Sequence, residues 1–440
     1  MFRKSVHGGE RAGGASAADH GSDGVPGEEK ATGTDRRALT KSATLAAAML
    51  LAGGGVARAQ TGKPRSAKDL TLRLPAPTGP YRIGVTTLFL VDHARRDPWE
   101  ALPVREVMAT VFYPARTVSG YPVAPQMTRG AAERLPFIDP LFHEGLPVKG
   151  VNWAATRTHA HTGAPAQAVR RPVLLYSPGG GDPRTLGTGI AEELAGRGYV
   201  VVTVDHPGDG SEVEFPRVRA GRKRVRETVF RGDPRTDPAL FRTVIDTRIA
   251  DIRFVLDQLE ALAAGQNPDA AGRPLPQHLD RALDLRRVGI YGHSAGGTTA
   301  AETMYEDRRI HAAINLEGFL DHPPESPGQE GRLFPIAQYG TDHRPLLLLG
   351  TDGFPHQKEL ERSWSAMLAR SPGCTSRREL DHAAHWVFTD YAALAPQLQA
   401  AGLMTADNRI KLIGALDPAV SIPLVRHHVH AFFARHLPVC

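Results

Sequence analysis

Short apolar, β-branched runs separated by helical stretches constrain this chain most. The runs lie at 173–176, 199–204, 288–291, 312–316 and 346–349. Near-continuous apolar segments of this length suit strands buried on both faces of a parallel sheet. Between the second and third run, Ile245, Ile249, Ile252, Leu256, Leu259 and Leu262 recur at three- and four-residue spacing, with Arg248, Asp251 and Asp257 assigned to other faces. Strands alternating with helices predict βαβ crossovers and an open, doubly wound α/β sheet. Ahead of them, 81–90 and 107–113 read as antiparallel strands added at one edge. Two stretches, 125–171 and 208–238, break the pattern and are expected as lid-like insertions.

The N-terminal 59 residues read differently. Residues 1–35 are rich in Gly, Ala, Ser and charge, with no periodic apolar pattern. Arg36-Arg37 then precedes an apolar run ending in Ala57-Arg58-Ala59, the small-x-small pattern of a signal-peptidase site. We read a twin-arginine export signal cleaved after Ala59, an address rather than an anchor; an uncleaved N-terminal anchor is the alternative. The run is too short and glycine-rich for a stable transmembrane segment. Residues 60–440 are then one secreted catalytic domain. Its two cysteines, Cys374 and Cys440, allow one bridge or two free thiols. The composition, 41% hydrophobic and 23% charged, excludes collagen-like, coiled-coil and disulfide-dense scaffolds. A net charge of +6 makes no case for nucleic acid.

The chemistry concentrates at Gly292-His293-Ser294-Ala295-Gly296, which follows the run at 288–291 and precedes a helix-compatible stretch at 298–306. Strand, G-x-S-x-G, helix is the context of a nucleophile elbow, with Ser294 exposed above the sheet at the positive end of a helix dipole. A serine hydroxyl needs a base, and in this fold the histidine comes last in the chain. His382 and His385 both sit where that order places it. The acid stays open among Glu317 (directly after 312–316), Asp352 (three positions past 346–349) and Asp321, and spacing alone slightly favours Asp352. The oxyanion hole requires two backbone N–H donors. One is Ala295; the other is expected from the loop Ser177-Pro178-Gly179-Gly180-Gly181-Asp182, which lacks the Lys-Ser/Thr ending of a phosphate-binding loop.

At these residues the chain resembles the plasma-type platelet-activating-factor acetylhydrolases and their secreted bacterial relatives, within the α/β-hydrolase fold. The landmarks are Arg96-Asp97-Pro98-Trp99, Pro172 to Gly179, Val204-Asp205-His206-Pro207, Arg248 to Leu259, the elbow, Asn315-Leu316-Glu317-Gly318, and His385-x-x-Phe388-x-Asp390. The resemblance implies Glu317 as the acid, with Asp352 as runner-up, where the family usually carries Asp. It also implies His385 over His382 and Gly180 as the second oxyanion donor. The expected activity is serine ester hydrolysis on short-acyl esters or short sn-2 acyl phospholipids, with no cofactor or metal. A lipase or polyester hydrolase is the nearest alternative, and a non-catalytic lipid or envelope binding protein is the alternative of another class.

Three further features carry expectations. The seven basic residues between Arg217 and Arg231 suggest either contact with an anionic surface or a solvated insertion, the second being favoured. Phe137, Phe142 and Trp153 either line an acyl pocket or pack the first insertion. His427 and His430 share a helix face, but no carboxylate lies within a turn, so no metal site is expected there.

Overall fold

The computed structural model describes residues 69–217, 222–326 and 328–439, all within one compact unit, Ser66–Cys440. The expected export signal and Cys440 lie outside the described residues. Among the described residues there are twelve strands: β1 (Ile83–Asp92), β2 (Arg105–Pro114), β3 (Val123–Pro125), β4 (Arg157–Thr162), β5 (Arg171–Ser177), β6 (Val200–Val204), β7 (Glu212–Glu214), β8 (Val225–Glu227), β9 (Leu283–His293), β10 (Ile310–Leu316), β11 (Leu346–Thr351) and β12 (Thr375–Leu380). Ten form one sheet in the order β12-β11-β10-β9-β5-β6-β2-β1-β4-β3, while β7 and β8 form a separate ribbon. From β12 to β6 every neighbouring pair is parallel, and β2 enters antiparallel to both β6 and β1.

All five predicted core runs are strands. Two differences from the sequence reading have physical causes. The first is β12, Thr-Ser-Arg-Arg-Glu-Leu, which goes unpredicted because an edge strand keeps polar side chains in water and loses the apolar signature. The second concerns β1 and β2, which pair as expected but are not the edge. The first insertion contributes β4, paired parallel to β1 at Gly84–His161 and Val85–Thr162, and β3 beyond it.

The chain leaves β5 through α2 (Thr188–Gly196) to β6, then returns past it through α3 (Pro238–Ala263) and the short α4 (Leu279–Ala282) to β9. From there α5 (Ala295–Glu306), α6 (Pro335–Tyr339) and α7 (Gln357–Arg370) carry it outward to β10, β11 and β12. Strand order therefore reverses between β5 and β9, and the crevice at their carboxyl ends is where such sheets bind ligands. One face of the sheet buries α3, α5, α6 and α7. The other buries α2 and, after α8 (Tyr391–Ala400) and α9 (Ala406–Ile413), the last helix α10 (Pro418–His436). The first insertion, with α1 (Arg129–Ile138), has its own core: Met127, Leu135, Leu146 and Trp153 pack with Tyr391 and Leu398.

Helix α3 begins where Asp237 caps the amides of Ala239 and Leu240 at 2.9 and 3.0 Å, with Pro238 in the first turn. Its aliphatic stripe is buried as the periodicity requires. Arg248 and Asp251, assigned by that periodicity to other faces, have no exposure at all. Asp251 receives Arg105 at 2.7 Å, and Arg105 also donates to Asp97 at 2.8 Å and to the Pro207 carbonyl at 2.7 Å. Burial opposes the Arg105 charge, but Asp251 and Asp97 more than offset it and raise its pKa above the ordinary value. The same carboxylate bonds His206 at 3.1 Å, and His206 reaches the Ser177 hydroxyl at 2.9 Å. The charged landmarks of the sequence thus meet under the crevice, joining β2, β5 and α3.

Removing Arg105 from this cluster takes the guanidinium from buried Asp97 and leaves buried Asp251 with only Arg95, at 3.0 Å, and His206. Arg105→Met is expected to lose about 3–5 kcal/mol of stability, read as a lower urea midpoint with an unchanged slope.

Candidate active site

The turn from β9 to α5 demands glycine on steric grounds. A Cβ at Gly292 would overlap the Gly296 carbonyl, and one at Gly296 would overlap the Ser177 carbonyl on β5. Between them Ser294 adopts φ 54 and ψ −121, a conformation costly for a residue with a side chain. Its own backbone holds it there. The Ser294 N–H donates to the Leu316 carbonyl at 2.8 Å, and its carbonyl accepts from Gly297 at 2.8 Å and Thr298 at 3.1 Å.

Beyond β10, Asn315 closes a tight turn on Gly318, accepting its N–H at 2.6 Å and donating to its carbonyl at 2.9 Å. That turn puts Glu317 at φ 60 and buries its carboxylate completely. One oxygen accepts from the Thr351 backbone N–H and, at 2.7 Å, from the Thr351 hydroxyl; the other meets His385 Nδ1 at 2.7 Å. His385 is packed on three sides, with ring centroids 4.7 Å from Phe354, 4.9 Å from Trp386 and 4.4 Å from His293. Burial drives the Glu317 carboxyl up to about 7, against the Thr351 donors that pull it down. Burial also drives His385 down to about 3. For His385 this favours an unprotonated ring at neutral pH, the form a general base requires.

The other sequence candidates sit elsewhere. Asp352 is exposed and accepts from the amides of His382 and Ala383 at 2.9 and 3.2 Å, shaping the loop that leads to His385 rather than touching its ring. His382 is exposed at φ 58. Asp321 is paired with Arg362 and Arg235.

The loop after β5 brings Gly180 beside Ala295; a Cβ at Gly180 would lie 3.7 Å from that of Ala295. The Ala295 N–H is the first of α5 and has no acceptor within the helix. The Gly180 N–H is aimed by a clamp that sequence reasoning missed. Arg248 donates to the Pro178 carbonyl at 2.5 Å and to the Gly179 carbonyl at 2.8 Å, and pairs with Asp209. Asp209 in turn accepts from the Gly181 N–H at 3.0 Å. In a planar trans peptide C=O and N–H point opposite ways. Holding the Gly179 oxygen toward α3 therefore turns the Gly180 N–H outward. The signal available in sequence was a lone arginine within an aliphatic helix stripe.

Behind the loop lies a second buried polar group. His143 stands 3.1 Å from Asp182 and 3.4 Å from Asp139. Burial opposes its charge, yet the two carboxylates raise its pKa to about 10. Asp182 also faces His293 at 3.5 Å, and His293 bonds the His385 carbonyl at 3.0 Å.

Ser294, Ala295, Gly180 and His385 line one cavity of about 320 Å³. Its walls include five aromatic side chains: Phe142, Phe241, Phe319, Phe354 and Trp386. Both insertions contribute, through Leu141 and Phe142 from the first and 232–235 from the second. Arg235 lies 3.7 Å over the Phe319 ring. Of the three aromatic residues of the first insertion singled out in the sequence, Phe142 lines the cavity, Trp153 packs the insertion core and Phe137 is exposed. Three of the seven basic residues of the Arg217–Arg231 run are paired, Arg222, Arg224 and Arg226 with Glu100, Glu214 and Glu106. Positions 218–221 lie outside the described residues. Among the described residues no group of three His, Cys, Asp or Glu could hold a metal, and no helix is long and apolar enough to cross a membrane.

Comparison with known proteins is consistent along the chain. The model of the family "Platelet-activating factor acetylhydrolase, isoform II" matches residues 68–439. A "Probable 1-alkyl-2-acetylglycerophosphocholine esterase" of Arthroderma benhamiae is 27% identical over 82% of this chain and 87% of that protein. A platelet-activating factor acetylhydrolase of Gallus gallus is 21% identical over 60% of this chain and 62% of its own length. Among solved structures, a ferulic acid esterase from Streptomyces cinnamoneus superposes with a TM-score of 0.60 at 32% identity, covering 83% of this chain and 93% of that one. The fold is an α/β-hydrolase fold.

Glu317→Gln keeps the shape of the side chain and removes its charge. It is expected to lower kcat about 10³–10⁴-fold, whereas Asp352→Asn is expected to stay within about threefold. The sign of the pH effect follows from the same contact. Protonating the His385–Glu317 pair removes the base, so kcat/KM should fall as pH drops. In Glu317→Gln the imidazolium loses its counter-charge while its burial persists, so the acid limb should move to lower pH. Steady-state profiles of the two variants check both statements.

Proposed function

Because the chain belongs to the platelet-activating factor acetylhydrolase isoform II family and is a carboxylic-ester hydrolase, we propose that it works through an acyl-enzyme on Ser294. The observation that carries this reading is the 2.7 Å bond between Glu317 and His385 beside a strained Ser294 in the same cavity. His385 takes the Ser294 proton as the hydroxyl oxygen attacks the ester carbonyl. The developing oxyanion rests on the N–H groups of Ala295 and Gly180, which need no reorganisation because α5 and the Arg248 clamp already hold them. His385 then protonates the leaving alcohol. Water, deprotonated by the same ring, releases the acid and restores the serine. Glu317 orients the imidazole and balances the imidazolium. No step calls on a metal or cofactor.

For the substrate we favour small esters, short-acyl glycerophospholipids included, since an enclosure of about 320 Å³ with bulky aromatic walls limits the group it can hold. The aromatic walls favour a second reading, esters of an aromatic acid such as the ferulate of the 32%-identical relative. Export by the twin-arginine signal, with cleavage after Ala59, belongs to the same proposal.

Hydrolysis of p-nitrophenyl acetate through palmitate and of methyl ferulate, with chelator present, separates these readings. The wild-type chain should be active and Ser294→Ala should lose at least about 10³-fold. Activity falling with acyl length supports short-acyl esters, and preference for methyl ferulate moves the assignment to aromatic acids. Preference for palmitate points to a lipase. Full activity in folded Ser294→Ala removes the proposed nucleophile.

A further inference from the structure

A cavity of about 520 Å³ lies apart from the Ser294 pocket and shares no lining residue with it. It forms where β4 parts from β1 after their two-residue pairing. Past that point β1 is covered by the 269–277 segment instead. Ala270 donates to the Phe89 carbonyl at 2.7 Å, and Arg273 donates to the Thr87 carbonyl at 3.0 Å. The gap between the two coverings is the cavity. Its exposed rim includes Thr128, Thr162, Pro274 and Gln277, and its floor includes the buried Phe112, Gln126, Met127 and Thr203.

The lining has an unusual chemistry. Nine of its 24 residues are threonines. Its charged groups are already paired: Arg184 with Asp205 and with the Thr110 hydroxyl at 2.7 Å, and Arg273 with Asp269 at 2.5 Å. A phosphate or carboxylate would find no uncommitted counter-ion on these walls. Two buried polar atoms lack any partner, Gln126 Oε1 and Thr185 Oγ1. Gln126 is only 5% exposed, and its amide is oriented by donating Nε2 to Asp390 at 2.8 Å. Leaving a buried acceptor unpaired is costly, and a donating ligand recovers that cost.

We propose that this cavity is a second, non-catalytic binding site for a neutral polyhydroxylated molecule of carbohydrate type. Such a ligand donates hydroxyl hydrogens to Gln126 Oε1 and exchanges hydrogen bonds with Thr185 and the neighbouring threonines. Threonine methyls, Phe112, Met127 and Leu275 supply apolar surface for the C–H faces of a sugar ring. The volume falls within the range of about 300–1,000 Å³ usual for small-molecule sites. The absence of uncommitted charge, together with many hydroxyls, selects a neutral ligand over an ionic one.

Isothermal titration of the chain with glucose, xylobiose and cellobiose tests the site, with glucuronate and glucosamine as charged controls. A neutral sugar should bind saturably and more tightly than either charged control. Thr185→Val keeps the side-chain shape and deletes a hydroxyl with no protein partner. It should leave the melting midpoint unchanged and weaken binding about 3- to 10-fold, the loss of one hydrogen bond. Thr162→Trp, at the exposed rim, should block entry and abolish binding without touching the core. Three results overturn the assignment: no neutral sugar binding at millimolar concentration, binding indifferent to both substitutions, or charged sugars binding as tightly as neutral ones. Each would leave the cavity a hydrated gap between two strand coverings.

Discussion

Two arginines closed off from water hold the candidate site in shape. Arg105 ties β2 to α3 through Asp251, and Arg248 ties α3 to the loop after β5 through two carbonyls and Asp209. Buried ion pairs are weak evidence for stability, because desolvation opposes the Coulomb gain. Their value here is geometric. A guanidinium has donors in a fixed planar fork, so satisfying several at once leaves the acceptors little freedom. The Gly179–Gly180 peptide is one of those acceptors, and its direction sets a proposed oxyanion donor. The ion network, and not the glycine-rich loop alone, makes that donor rigid.

The same burial that fixes the geometry tunes the titrating groups. Glu317 and His385 are driven toward their neutral forms by desolvation, and the Thr351 donors oppose this at Glu317 by favouring its charged form. One wall away, His143 is driven toward its charged form by two carboxylates. Two histidines that both pack on Trp386 thus behave oppositely, as expected when one faces a single acid that also serves two other donors and the other stands between two acids. Strain contributes as well. Ser294 and Glu317 both hold positive φ, and each is fixed by backbone or Asn315 hydrogen bonds rather than by side-chain packing.

Much of this was legible in the residues. The five core strands announce themselves because both faces of a parallel sheet are dry, and the elbow does so because its glycines answer a steric demand within five residues. Gly180 and His385 followed from motif resemblance, as did Glu317, where spacing alone leaned to Asp352. The structure gives the reason for that lean and shows where each carboxylate sits: Asp352 does follow the later strand, but it accepts from two amides of the adjoining loop, while Glu317 meets the His385 ring. The edge strand β12 was invisible because its outward polar residues erase periodicity. Arg248 and Asp251 were assigned to outer faces because helical periodicity treats any charge as solvent-facing, and it has no means of seeing a partner elsewhere in the chain.

Sequence by itself determined the doubly wound sheet and the tight strand-to-helix turn at Ser294. Each rests on interactions among near neighbours: continuous apolar runs, helical spacing, the absence of Cβ at a tight turn. Tertiary structure decided which carboxylate meets His385, which arginine aims the Gly180 amide, and where the aromatic walls close. Those partners lie far apart along the chain: 68 residues between Glu317 and His385, 39 between Asp209 and Arg248, 146 between Arg105 and Asp251. A charge records in sequence only that it needs a counterpart; the folded crossing of β2, β5 and α3 supplies which one.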